Sequence, residues 1–182
     1  TGIKTENVEI ILGLDTEETV SYDLNDYIKW SEVYSDNTDS GNSYVKVVWS
    51  GGTNGTTVQE NGLINIEKSE GTSQANGVIS VNASYEVGGK AFSATATVNL
   101  ARLEINPSGE YYLGDNKVSP EYNYYIGGKK RNLSSTPQFT VDGMTYQEGN
   151  AFTTEENGEW KAKATVSVNS GSLATGHSTF SV

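Results

Sequence analysis

The chain has 182 residues, no cysteine, and 12 Lys and Arg against 23 Asp and Glu, for a net charge of −11. The missing cysteines exclude disulfides, thiolate metal sites and cysteine nucleophiles, and the acidic excess repels phosphate backbones and anionic membranes, so nucleic acid is not an expected partner. No apolar run nears the roughly 20 residues of a spanning helix, so direct membrane insertion is not expected, and the length suits one large all-β domain or two of roughly 90 residues.

In chain order, "VEI" at 8 to 10 opens as a short strand. In "VSYDLNDYIKW", Val20, Leu24 and Ile28 are four apart and fit a short helix face, but β-branched and aromatic residues among aspartates fit a strand with a bend better. "YVKVVWSGG" alternates Val45, Val47 and Trp49 on one face. "VISVNASYEVGG" sets Ile79, Val81, Ala83, Tyr85 and Val87 against Ser80, Asn82, Ser84 and Glu86, a half-buried strand. After Gly88-Gly89, "KAFSATATVNL" completes a hairpin through Phe92, Ala94, Ala96 and Val98. "EWKAKATVSVN" repeats the pattern with Trp160, Ala162, Ala164, Val166 and Val168, and "LATGHSTF", carrying the single histidine His177, is expected to be a hairpin turn. With 20 Gly between such strands, the class is all-β.

Five short matches recur in order: "VEI" with "LEI" at an offset of 95, "YI" at 27 and 125 at 98, Trp49 with Val141 at 92, "SVN" at 80 and 167 at 87, and Val98 with Val182 at 84. Offsets that change only between strands fit a duplicated domain with loop insertions and deletions. Two domains are therefore expected, 1–100 and 101–182, joined inside "VNLARLEI" with almost no linker and so forming a stiff rod. Tyr27, Ile28, Tyr125 and Ile126 become shared packing positions. The start at Thr1 and the close on "STFSV" read as a piece of something larger.

The stretch from Val47 to Leu100 resembles a bacterial immunoglobulin-like domain of group 2, the invasin and intimin type. Trp49-Ser50 stands where the family has Trp-Ser after a strand, Asn61-Gly62-Leu63 looks like its Asn-Gly-Leu turn, and residues 78–100 look like its closing hairpin. The second copy departs, with Val141-Asp142 at the Trp-Ser position. The resemblance implies two tandem immunoglobulin-like β-sandwiches serving as spacer, adhesin segment or decoration on bacterial surfaces and phage virions. It implies no catalytic residue or cofactor; Trp49, Gly62 and Leu63 carry over as fold determinants only.

Nucleophilic hydrolysis wants a serine or cysteine near a histidine with an orienting carboxylate, and a lone His177 in a turn is expected to be solvated. Glu155, Glu156, Asp23 and Asp26 show no distinguishing spacing for paired-carboxylate chemistry. "DNTDSGNS", with Asp36 and Asp39, is faintly like a calcium loop, but Thr38 and Ser40 replace preferred ligands and Val47 stands where a bidentate glutamate belongs, so no metal is expected. Sequons at Asn54, Asn82 and Asn132 are explained by composition.

"EYNYYIGGKKRN" concentrates the binding candidates. Tyr122 and Tyr124 fall on the face away from Tyr125, Tyr124 replacing the charged Asp26 of the first copy. Lys129, Lys130 and Arg131 follow a glycine turn as a basic loop able to meet an acidic neighbour. The leading expectation is a non-enzymatic module at an extracellular, cell or virion surface that contacts other protein subunits or copies of itself. The rival is a carbohydrate-binding or adhesin module stacking glycans on tyrosines, Tyr111 and Tyr112 included.

Overall fold

The computed structural model describes residues 7–27, 47–53, 56–72, 76–87, 90–106, 120–141, 147–148, 151–152, 158–169 and 171–181. Asp36, Asp39, Ile28, Val45, Asn54, the Gly88-Gly89 turn, Tyr111, Tyr112, Asp142, Glu155, Glu156 and Val182 lie outside the described residues. The described residues are all-β, 71% strand and 4% helical.

The strands are β1 (Asn7–Gly13), β2 (Val20–Asp23), β3 (Val47–Thr53), β4 (Thr56–Thr57), β5 (Leu63–Ile66), β6 (Val78–Val87) and β7 (Lys90–Asn106). They continue as β8 (Glu121–Ile126), β9 (Lys129–Arg131), β10 (Gln138–Val141), β11 (Gln147–Glu148), β12 (Ala151–Phe152), β13 (Glu159–Asn169) and β14 (Ser172–Ser181). One 3-10 turn, Leu24–Tyr27, follows β2. The segment read as a bent strand is thus a strand for four residues and then a helical turn, started where Asp23 Oδ1 accepts the Asn25 amide at 3.0 Å.

Two hydrophobic cores form. In the first, Ile10, Leu12, Trp49, Ile79, Val81, Ala96, Val98 and Leu100 face Tyr22, Leu24, Val58, Ile64 and Ile66. The β2–β5 pair closes over the large sheet, as two sheets pack inner face to inner face. In the second, Ala101, Leu103, Ile105 and Tyr124 of β7 and β8 face Phe139, Val141, Ala162, Ala164, Val166 and Ala174 of the β10-β13-β14 sheet. Alternation builds both cores, since every second side chain of a strand points inward. Trp49 is 1% exposed and its indole Nε1 donates to Asn25 Oδ1 at 3.0 Å, satisfying the one polar atom such burial takes out of water. Gly62 lies beneath it with φ +96°, and a Cβ there would come within 2.6 Å of Asn25 Nδ2 and 2.9 Å of Trp49 Nε1. Leu63 does not share this role: it is 36% exposed while Ile64 is fully buried, because the turn sets the phase of β5 so that Ile64 and Ile66 point inward.

The cores share one seven-stranded sheet, ordered β4-β3-β6-β7-β8-β9 with β1 also paired to β7. β7 runs without a break from the first core into the second. On it Ala94, Ala96, Val98 and Leu100 are buried, then Ala101, Leu103 and Ile105. Leu100 and Ala101 are consecutive on an unbroken ladder and so point to opposite faces of the strand, Leu100 into the first core and Ala101 into the second.

The repeat matches fare unevenly. Trp49 opposite Ala83 and Val141 opposite Ala162 are comparable buried pairs. Anchored on those pairs, the offset between β6 and β13 is 79, eight residues from that of the "SVN" match, so the two triplets occupy different places on their strands. Tyr27 lies in the helical turn and Tyr125 in β8, so these two are not equivalent positions.

Candidate functional site

The β8–β9 hairpin presents the charged residues singled out in the sequence. Gly127 and Gly128, with φ of +60° and +75°, make a two-residue turn that pairs Ile126 with Lys129. Lys129, Lys130 and Arg131 form a short strand rather than a basic loop, at the edge of the shared sheet among the described residues, and all three are exposed. Three adjacent cations at an edge discourage unspecific strand pairing and present a local positive strip on a chain of charge −11.

The tyrosines divide in the opposite sense to the sequence expectation. Register places Ile105 against Tyr122, Leu103 against Tyr124 and Ala101 against Ile126. Because Ala101, Leu103 and Ile105 point into the second core, that face of β8 points inward too. Tyr124 is 8% exposed and belongs to the core, so it offers no stacking face. Tyr122 is half-buried against the same core; its hydroxyl has no hydrogen-bond partner among the described residues, and burial pushes its pKa up to about 12. It lines a shallow groove of about 380 Å³ with Leu133, Ser134, Ser135, Thr136 and Pro137. Tyr125 points to the other face, where the Arg102 guanidinium lies 4.4 Å from its ring centroid. Arg102 also donates from Nε to the Gly71 carbonyl at 2.9 Å and pairs with Glu104.

A second assembly, absent from the sequence expectations, lies where the two cores meet. β1 leaves β7 at Leu14, whose amide bonds the Ala101 carbonyl, and then borders β14: the Thr175 amide donates to the Leu14 carbonyl and the Thr16 amide to the Thr175 carbonyl. At Gly13 the approach is close enough that a Cβ would stand 2.1 Å from the Leu173 carbonyl oxygen. The Gly13 amide donates to Ser172 Oγ at 2.7 Å, the Ser172 hydroxyl donates to the Tyr22 hydroxyl at 3.2 Å, and the Tyr22 hydroxyl returns a bond to the Gly13 carbonyl. This closed ring of three residues is buried, with Ser172 at 1% and Tyr22 at 8% exposure. Burial is the main cause raising the Tyr22 pKa, which the Ser172 hydrogen bond partly offsets and Asp15 reinforces. Nearby, Asn169 Nδ2 donates to the Ile11 carbonyl, and the Tyr27 hydroxyl to the Gly171 carbonyl at 3.3 Å.

His177 belongs to this seam and not to a turn. It lies inside β14 opposite Lys163, because the Thr175–Gly176 pair continues the ladder instead of reversing it. Its Nε2 is 2.9 Å from Asp15 Oδ1, at ion-pair distance but outside hydrogen-bond geometry, and its Nδ1 is 3.5 Å from Glu17 Oε2. Its backbone is held as well, the amide donating to Thr16 Oγ1 at 3.0 Å. Asp15 is meanwhile occupied by the Glu17 and Glu18 amides. Grooves of about 450 and 480 Å³ flank the seam, one lined by Thr16, Glu17, Lys68, Arg102, Glu104 and His177, the other by Asp15, Tyr22, Asp23, Asp26, Tyr27 and Leu173. Among the described residues no group of three or more His, Asp or Glu has a geometry suited to a metal ion.

No family model matches the chain, and no curated protein matches it in sequence. Solved structures similar to it include mouse cadherin-23 EC22-24, at 12% identity over 98% of this chain and 62% of that one, with a TM-score of 0.27. Dscam1 isoform 9.44, solved as its N-terminal four Ig domains, is 9% identical over 98% and 44% with a TM-score of 0.29. The three N-terminal domains of the bacteriophage RB49 Highly Immunogenic Outer Capsid protein (Hoc) are 15% identical over 97% and 65% with a TM-score of 0.31. The chain spans less than two thirds of each, and at these TM-scores no property of those proteins carries over.

Proposed function

We propose that the chain is a non-catalytic structural and attachment module of a bacterial cell-surface or phage virion protein, built of two immunoglobulin-like sandwiches, 1–100 and 101–182, of the group 2 type. It works through contacts with other protein subunits or copies of itself. The observation that supports this reading best is the shared sheet: one strand serves both cores, and the bonds around Gly13, Ser172 and Thr175 tie β1 to β14 across them. Such a unit holds its two cores at a fixed separation, which is what a spacer needs. The single histidine is held between Asp15 and Glu17 at the seam, a position that suits structure better than proton transfer to a substrate.

The contact surface in this reading is the β9 edge. Its three cations are consecutive and exposed, Lys129 and Arg131 on one face and Lys130 on the other, and a neighbour with the acidic character of this same chain complements them. Sedimentation of the isolated chain over a range of concentrations tests this. Self-association that weakens with salt, and is lost in Lys129→Glu/Lys130→Glu/Arg131→Glu, is the expected result. Association unchanged by the triple substitution removes the edge from the reading.

A second reading, a carbohydrate-binding module, is favoured by one observation: Tyr122 keeps part of its ring beside three hydroxyl residues and a proline in one groove. A glycan array decides between the two. Reproducible binding that disappears in Tyr122→Ala replaces the structural reading with this one, and a blank array removes it.

A further inference from the structure

We propose that the chain is built to carry tension along its length, and that the clamp is the parallel pairing of β1 with β7. The inference deepens the spacer reading and rests on it for its purpose, although the resistance itself follows from strand geometry alone. Parallel register runs from Asn7 opposite Thr95 to Gly13 opposite Ala101, seven consecutive pairs. The Ile11 carbonyl and the Gly13 amide point away from β7, to Asn169 and Ser172. Alternation therefore aims the backbone groups of Val8, Ile10 and Leu12 at β7.

The direction of pull follows. Force entering at the amino end of β1 acts at Asn7, and force leaving toward the second core acts on β7 beyond Ala101. These points are at opposite ends of the ladder, so tension slides the two strands past each other and every bond between them resists at once. Had the strands run antiparallel, the same two points would lie at one end of the ladder and its bonds would break singly, each in turn. The far end of β1 is secured as well, by the buried Gly13–Ser172–Tyr22 ring and the Leu14–Thr175 bonds, so β1 cannot start to peel from its carboxyl side without opening the seam.

Single-molecule pulling on the full chain tests the clamp, and the absence of cysteine makes introduced attachment points unique. One pulling geometry holds the amino terminus and Glu121→Cys, an exposed position opposite Asn106 at the far end of β7. The other holds the amino terminus and Ser93→Cys, exposed and two residues before the Thr95 partner of Asn7. Forced unfolding reads the unfolding barrier, so at equal loading rate the first geometry is expected to need several-fold more force than the second. Val8→Pro, which removes one donor facing β7, should lower the force in the first geometry. Equal forces in the two geometries overturn the clamp; they leave the spacer reading standing, because that reading falls to the glycan result.

Discussion

Replacing Ser172 by alanine removes the middle member of the hydrogen-bond ring that joins residue 13 to residue 172. The Gly13 amide then stays buried without an acceptor, since β14 leaves no room at Gly13 for so much as a methyl group and water has no approach. Leaving one buried donor unsatisfied costs about 1–3 kcal/mol. In a chain of this size each kcal/mol moves the melting temperature by about 2–4 °C, so Ser172→Ala is expected to lower it by about 2–12 °C. Tyr22→Phe opens the same ring at another point, and the two effects should be non-additive by about 0.5–3 kcal/mol because both act on Gly13. Ser80→Ala, on the exposed face of β6, serves as the control and should melt with the parent chain. Calorimetry of the two single variants and the double variant measures all of this. Parental melting in Ser172→Ala, or strict additivity with Tyr22→Phe, would show that the ring is incidental to the way the cores are joined.

Gly62→Ala combines a positive φ with contacts under 3 Å to Asn25 and Trp49, so denaturant titration should show a loss of at least about 1 kcal/mol, and full parental stability would remove the turn from the fold determinants. Ile64→Ala is expected to cost about 2–5 kcal/mol while Leu63→Ser stays within about 0.5 kcal/mol, a comparison that separates the two neighbours by burial alone. Burial raises the pKa of Tyr122 to about 12 from 10.0, so above pH 10 the unfolded chain gives up this proton first. The stability due to the neutral phenol is complete below pH 10 and is lost as pH rises toward about 12. Urea midpoints at pH 8 and pH 11 should therefore fall less in Tyr122→Phe than in the parent, and equal falls would refute that assignment.

Alternation made most strands legible: Ile79, Val81 and Ala83, like Ala162, Ala164 and Val166, are buried as their spacing requires. Even the passage between cores is written in the chain, as the adjacent apolar Leu100 and Ala101, which alternation sends to opposite faces and so to different cores. What spacing could not supply was which face is inward when both carry large side chains. In β8 both Tyr124 and Tyr125 suit a core, and only the partner strand, with Leu103 opposite Tyr124, settles the matter. His177 was misplaced for a related reason: Thr-Gly-His has turn composition, but Gly176 is there to let a strand lie against Leu103, where a Cβ would come within 2.4 Å of the carbonyl oxygen. The seam was illegible because its hydrogen-bonded members are separated by up to 161 residues and most of them, taken singly, are ordinary serines, threonines, tyrosines or glycines.

That separation has a consequence for synthesis. A growing chain can assemble the first core once β7 has emerged, but the Gly13 amide and the Leu14 carbonyl lack their partners until Ser172, made 159 residues after Gly13, and then Thr175 have followed. Until then those two groups are open to water or to another nascent chain, and the arrival of β14 completes the second core and the seam in one event. A stop codon anywhere after residue 106 and before residue 172 thus yields more than a truncated second core; it releases a first core whose opening strand is unfinished.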